Sequence, residues 1–201
     1  HKIAFSIYYS VPELHHKNAY NLKSTHQLPK PNPGDEPNEA LYIEYVKNQI
    51  TELCTKYGKI SSLFWDIPPK IYDPSVNQLV RKLQPGILIN DRGYDEGDFK
   101  TPERELPDGA MFREKTEACQ SVGEQSWGYR SNEFYHSRRF LCQSINKIMC
   151  MGGNYLLNVG PDGDGSIPLQ ADLLLKDIGN WYKNCKEAMD AEPATEYFTR
   201  Y

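Results

Sequence analysis

The chain has 201 residues, a net charge of −4 and a pI near 5.8. This length suggests one domain with one good core, and the acidic balance argues against a nucleic-acid-binding surface, which would show a basic patch. The mean hydropathy is −0.69, and no apolar run approaches the roughly 18 residues of a membrane span.

Apolar strand-like segments alternate with helical patterns along the chain. Strands are predicted, in order, over residues 3–9, 61–66, 87–90, 114–122 and 154–159. Helices are predicted over residues 38–58, 75–83, 134–151 and 169–186, where apolar side chains recur at helical spacing. Strands that alternate with helices indicate an α/β fold with a parallel sheet.

Five strand–helix units match the last part of a (β/α)8-like, TIM-type barrel, because an intact barrel typically needs about 250 residues. We therefore expect residues 1–190 to form the C-terminal portion of such a barrel and residues 191–201 to form a tail or the start of a following β segment. Open strand edges favour association, so the expected partner is either the missing N-terminal strands or another chain. A naturally short form that closes its edges by oligomerising is the alternative.

Two carboxylates indicate the kind of reaction that this chain supports. The apolar segment SSLFWD ends in Asp66, and a charged group there must be paired or lie at the rim of a pocket. Glu103 follows in a polar loop after the third predicted strand. Two carboxylates near strand ends, with aromatic and arginine residues close by, are typical of a glycosidase. Asp66 as a cap of the next turn, and Glu103 as one solvated loop acid among several, remain the alternatives.

A series of motifs narrows this interpretation. The segments YYSVPELHH, LFWD, LQPGILINDRG, DFKTPERELP, SWGY and GGNYLLNVGPDGDGSIP follow one another between residues 8 and 168. Together they resemble the α-L-fucosidases of glycoside hydrolase family 29 over nearly the whole chain. The resemblance implies hydrolysis of terminal α-linked L-fucose from glycans with retention of configuration. It also implies no metal or other cofactor, and a secreted, periplasmic or lysosomal location.

The resemblance further implies roles for individual residues. Asp66 falls at the position of the nucleophile, and Glu103 falls where one branch of the family keeps its acid/base. The residues at sugar-binding positions are Tyr8, Phe64, Arg92 and Trp127. Aromatic faces suit the exocyclic methyl group of fucose, and arginine and tyrosine can donate hydrogen bonds to its hydroxyls.

Several features leave alternatives open. Arg92 could instead pair with the neighbouring Asp91, and Trp127 could belong to the core. A relative that binds fucose without catalysis, or an inactive truncated fragment, would carry the same motifs. The chain also departs from the family pattern, with Leu14 where tryptophan is usual, and with Ile67 and Pro68 where glycine is frequent.

Overall fold

The computed structural model describes residues 3–19, 32–106, 108–109 and 111–189. Within these ranges lie five strands and four helices, in the order that the sequence predicts. The strands are β1 (Ser6–Ser10), β2 (Ser62–Asp66), β3 (Leu88–Ile89), β4 (Glu117–Ser121) and β5 (Asn154–Asn158). The helices are α1 (Glu39–Lys56), α2 (Pro74–Leu83), α3 (Arg138–Cys150) and α4 (Leu169–Met189). The predicted tail at 191–201 lies outside the described residues. None of the described helices has the length and apolar character to cross a bilayer.

The chain divides into two compact units, a first unit of residues 1–99 and a second unit of residues 100–201. The first unit contains a parallel sheet in the order β1-β2-β3. Tyr8 lies opposite Phe64 and Ser10 lies opposite Asp66. Because the strands are parallel, the carboxyl ends of β1 and β2 meet at one edge of this sheet. That edge carries the first group of predicted site residues.

Two capped helices cover the sheet of the first unit. Helix α1 begins after Asn38, whose side chain accepts a hydrogen bond from the amide of Leu41 at 3.1 Å. Asp73 caps α2 through the amide of Ser75 at 3.1 Å. Such caps satisfy amides that have no partner inside the helix. Buried side chains recur on one face of each helix and join the core under the sheet, namely Tyr42, Val46, Ile50, Cys54, Val76 and Val80.

The second unit has its own sheet and core. Strands β4 and β5 are parallel, with Glu117 opposite Asn154 and Ser121 opposite Asn158. Helices α3 and α4 bury an apolar stripe in the core of this unit, formed mainly by Leu141, Ile145, Ala171 and Ile178, together with Val122 just after β4. Each unit therefore has its own core, whereas the length of the chain had suggested a single one.

Some predicted boundaries were wrong. Helix α3 begins at Arg138 and not at 134, because Ser137 caps it through the amide of Phe140 at 3.1 Å. The residues before it are extended, and Tyr135 forms an antiparallel bridge with Gly123. Strand β4 begins three residues later than predicted, and β3 is reduced to two residues.

Candidate functional site

Four predicted site residues of the first unit come together around one carboxylate. We call Tyr8, Phe64, Asp66 and Arg92 the Asp66 cluster. The hydroxyl of Tyr8 donates a hydrogen bond to Oδ2 of Asp66, and Nη1 of Arg92 donates to Oδ1 at 3.0 Å. The two oxygens of Asp66 therefore have different donors, one of them positively charged. Charge-assisted hydrogen bonds of this kind are stronger than neutral ones.

Aromatic contacts fix the donors of the Asp66 cluster. The ring of Tyr8 stacks on Phe64 with centroids 5.8 Å apart. The guanidinium carbon of Arg92 lies 5.5 Å from the centroid of the same Phe64 ring. Tyr8 is 61% exposed, while the side chains of Arg92 and Asp66 are 16% and 22% exposed. The cluster is thus a partly buried charge pair under an accessible aromatic surface.

The pleat of the strands explains this arrangement. Successive side chains of a strand point to opposite faces. Leu63 and Trp65 are fully buried, so Phe64 and Asp66 take the other face. Tyr9 packs edge-on against Trp65 at 5.2 Å, which turns Tyr8 toward Asp66. Tyr8, which the resemblance puts at a sugar-binding position, therefore lies on the same face as Asp66, and Tyr9 lies on the core face.

The turn after β3 carries Arg92, and two neighbours hold it against the core. Asn90 is fully buried; its side chain accepts a hydrogen bond from the amide of Trp65 and donates one to the carbonyl of Trp65, both at 2.8 Å. Gly93 lies so close to the indole that an added Cβ would sit 2.3 Å from Cδ1 of Trp65. Asn90 was not predicted as a site residue, although an amide at the end of an apolar strand was a visible signal.

Glu103 and Trp127 belong to the second unit. Glu103 is exposed, and its backbone forms a parallel bridge with Cys119 of β4. Trp127 is 36% exposed, so it is not a core residue. Its carbonyl accepts a hydrogen bond from Nδ2 of Asn158 at 2.6 Å. The predicted site residues of the first unit therefore lie together around Asp66, and the two of the second unit are exposed positions.

Two residues that follow the predicted carboxylates have left-handed backbone conformations. Ile67 has a φ of 56° and Arg104 a φ of 52°. This region is unfavourable for residues with a side chain, and most of all for a β-branched one such as isoleucine. Strained backbone is often found at functional sites.

Burial shifts the pKa of two other groups in the second unit. The pKa of Glu117 is raised because its carboxyl group is removed from water. The pKa of His136 is lowered by burial and by the charge of Arg104, against the opposing effect of Glu124. Within the described part of the chain, no three histidine, cysteine, aspartate or glutamate side chains are grouped so as to hold a metal ion.

The comparison with known protein families is decisive for the chain's identity. A model of the family described as alpha-L-fucosidase matches residues 1–187. The chain belongs to the α-L-fucosidase family. A plasma α-L-fucosidase from Pongo abelii is 26% identical over 198 residues, which cover 93% of this chain and 42% of that protein.

Solved α-L-fucosidase structures resemble the chain closely. Isoenzyme 1 from Paenibacillus thiaminolyticus superposes with a TM-score of 0.84 at 25% identity, covering 94% of this chain and 51% of that one. The α-L-fucosidase AlfC from Lactobacillus casei, in complex with α-L-fucose product, has a TM-score of 0.76 at 26% identity, with 92% and 62% covered. The chain thus spans less than two thirds of the length of each of these three α-L-fucosidases.

Proposed function

We propose that the protein carrying this chain is a retaining α-L-fucosidase that releases terminal α-linked L-fucose from glycans. The observation that carries the proposal is the Asp66 cluster, in which a carboxylate ends a strand between a tyrosine hydroxyl and an arginine. Membership of the family, and a relative solved with α-L-fucose, support the choice of sugar.

Asp66 would act as the nucleophile. One of its oxygens attacks the anomeric carbon of fucose, the bond to the leaving oxygen breaks, and a fucosyl ester forms. Arg92 and Tyr8 hold the carboxylate in one orientation before the attack, and such orientation lowers the barrier. The exposed faces of Tyr8, Phe64 and Trp127 would contact the apolar side of the sugar, including its methyl group.

Glu103 would act as acid and then as base. It donates its proton to the leaving oxygen in the first step and takes a proton from water in the second step. Its exposed position on a loop suits a group that must exchange protons with the leaving group and with solvent. The proposed reaction needs no cofactor.

For the architecture, we propose that residues 1–190 supply about the last five βα units of a (β/α)8-like barrel. The parallel sheets and the likeness to fucosidase structures support this. The remaining strands would come from a longer chain or from another chain, and residues 191–201 would form a tail or a following β segment. The partners proposed are therefore a fucosylated oligosaccharide or glycoconjugate and these missing strands.

The test is kinetic and uses the full protein that contains this chain. Asp66→Ala should lower kcat on an aryl α-L-fucoside by about 10⁴-fold or more, as removal of a nucleophile does. Glu103→Ala should lose activity that added azide restores, because a small nucleophile replaces the deprotonated water. Glu105→Ala, which changes an exposed acid of the same loop, serves as the matched control and should leave kcat unchanged.

The configuration of the released fucose tests retention, and the residual activity distinguishes an enzyme from an inactive fucose-binding relative. NMR of the first turnover products should show α-L-fucose; β-L-fucose appearing first would contradict retention. An aryl leaving group needs little help from an acid, so even a poor acid/base would show turnover. Fucose binding without any turnover of the aryl fucoside would favour a catalytically inactive fucose-binding relative instead.

A further inference from the structure

Arg104 occupies an unusual position in the second unit. It directly follows Glu103, and its backbone lies in the left-handed region. Its amide donates to the carbonyl of Cys119 at 2.9 Å, while the amide of Cys119 donates to the carbonyl of Pro102, also at 2.9 Å. One residue of β4 therefore holds the backbone on both sides of Glu103. The left-handed conformation belongs to the residue whose amide makes the first of these hydrogen bonds, so it is part of this arrangement.

The side chain of Arg104 reaches a different loop. Its Nη1 donates to the carbonyls of Gly123 and Glu124, at 3.3 and 2.9 Å. Its guanidinium carbon lies 4.3 Å from the centroid of the Trp127 ring. A planar guanidinium can bond to carbonyls in its plane and stack on a ring with its face, whereas a lysine ammonium cannot combine the two.

We propose that Arg104 is a positioning residue that holds the acid/base Glu103 and the sugar-binding Trp127 in fixed places relative to each other. This inference rests on the roles proposed above for Glu103 and Trp127. Asn158 and β4 support the same loop from the other side, because Nδ2 of Asn158 bonds to the carbonyl of Trp127 and Oγ of Ser121 bonds to the carbonyl of Ser126. Arg104 ties this loop to the Glu103 segment.

The alternative is that Arg104 only stabilises the fold, and leaving groups of different pKa distinguish the two. Acid catalysis matters little for a nitrophenyl leaving group and greatly for an alkyl one. Arg104→Lys should therefore reduce kcat on an alkyl α-L-fucoside at least about tenfold more than kcat on the nitrophenyl compound. Arg104→Ala should behave in the same way, and added guanidinium ion should restore part of its kcat.

A second readout does not depend on turnover. Trp127 is more exposed than the fully buried Trp65, and loss of the guanidinium cover should expose it further. Iodide quenching of tryptophan fluorescence should increase in Arg104→Lys, and the increase should vanish when Trp127→Phe is added. Arg113→Lys, an exposed arginine of the same unit, is the matched control for both readouts. Urea unfolding of each variant shows whether the fold is retained.

The outcomes separate this inference from the proposed function. Equal losses on both substrates with unchanged quenching would overturn the positioning role and leave a structural one. If Glu103→Gln loses the same factor in kcat on the alkyl and the nitrophenyl fucoside, Glu103 is not the acid/base. The inference that Arg104 positions the acid/base then fails as well. If the protein turns over no fucoside, the quenching result alone decides whether Arg104 holds Trp127.

Discussion

In the first unit, Asp66 ends a paired strand and receives hydrogen bonds from Tyr8 and Arg92, beside fully buried core residues. In the second unit, Glu103 stands exposed on a loop, and main-chain contacts with Cys119 hold that loop in place. The difference matches the chemistry proposed for each group. A nucleophile must keep its oxygen atom in one place, while an acid/base must reach both the leaving group and water.

Matched insertions of a methyl group test how rigid the two units are. In Gly93→Ala the new Cβ would lie 2.3 Å from Cδ1 of the buried Trp65, so we expect a loss of about 3 kcal/mol in the free energy of unfolding. In Gly160→Ala it would lie 2.5 Å from the carbonyl carbon of Gly128, in the loop that carries Trp127. Because that loop is at the surface, we expect a smaller loss of about 1 kcal/mol.

Urea unfolding of both variants measures these losses. Gly163→Ala is the control, because no atom lies within 4 Å of its new Cβ. Equal losses for Gly93→Ala and Gly160→Ala would remove the distinction between a site built on strands and a site built on loops.

Removal of the hydrogen-bond donors to Asp66 should have the next largest effect, which is a loss of kcat/KM. Arg92→Met removes a charged hydrogen bond worth about 2 kcal/mol, so kcat/KM on an aryl α-L-fucoside should fall by roughly 30-fold. Tyr8→Phe keeps the ring over Phe64 and removes one donor, and should cost about tenfold. Tyr57→Phe, an exposed tyrosine just after α1, is the control. A Tyr8→Phe variant with full activity would show that its hydroxyl does not orient the nucleophile.

The first unit also contains a defect in its core. Tyr94 is 1% exposed, and its buried hydroxyl has no hydrogen-bond partner among the residues that the structure describes. Tyr94→Phe should therefore stabilise the fold by about 1 kcal/mol, because it removes an unsatisfied polar group. Tyr42→Phe is the matched opposite, since that hydroxyl donates to the carbonyl of Val11 at 2.6 Å and its loss should destabilise by about 1 kcal/mol. Thermal unfolding of the two variants should move in opposite directions.

The smallest expected effect is a pH-dependent change in stability caused by Glu117 of the second unit. Burial raises the pKa of Glu117 above its usual 4.5, so the protonated form is favoured in the folded state. Its contribution to stability is complete below pH 4.5 and is lost as the pH rises through the folded-state pKa. Glu117→Gln should therefore be more stable than the parent at pH 7 and equal to it at low pH. The exposed Glu114→Gln is the control, and a uniform shift at every pH would contradict the role of burial.

Local pattern was enough to predict the order of the elements and the strand end that carries Asp66, whereas Tyr8 and Phe64 were named from the resemblance to the family. The alternation of β1 and β2 placed Tyr8, Phe64 and Asp66 on one face, and parallel pairing brought them to one edge. The partner of Arg92 was not predictable in the same way. The structure pairs Arg92 with Asp66, 26 positions away, and the next residue of the turn, Gly93, packs on Trp65.

Long-range contacts also explain why the start of α3 and the contacts of Arg104 were not predicted in the second unit. The pattern from Phe134 resembles a helix, yet Tyr135 pairs with Gly123, and the helix begins only after the cap at Ser137. Arg104 gave no signal in the sequence, because its contacts lie about 20 residues away and depend on a left-handed backbone. Helical spacing and strand alternation carry no information about such contacts.

The buried cysteines allow local unfolding to be measured in each unit separately, through the rate at which each thiol is modified. Cys54 is 3% exposed in the core of the first unit, and Cys119 is 5% exposed on β4 of the second. Neither forms a disulfide, and Cys150 is exposed. A thiol reagent would modify Cys150 at once, but would reach Cys54 and Cys119 only when their surroundings open. The rates at these two thiols would therefore show which carboxylate loses its support first when the protein begins to unfold.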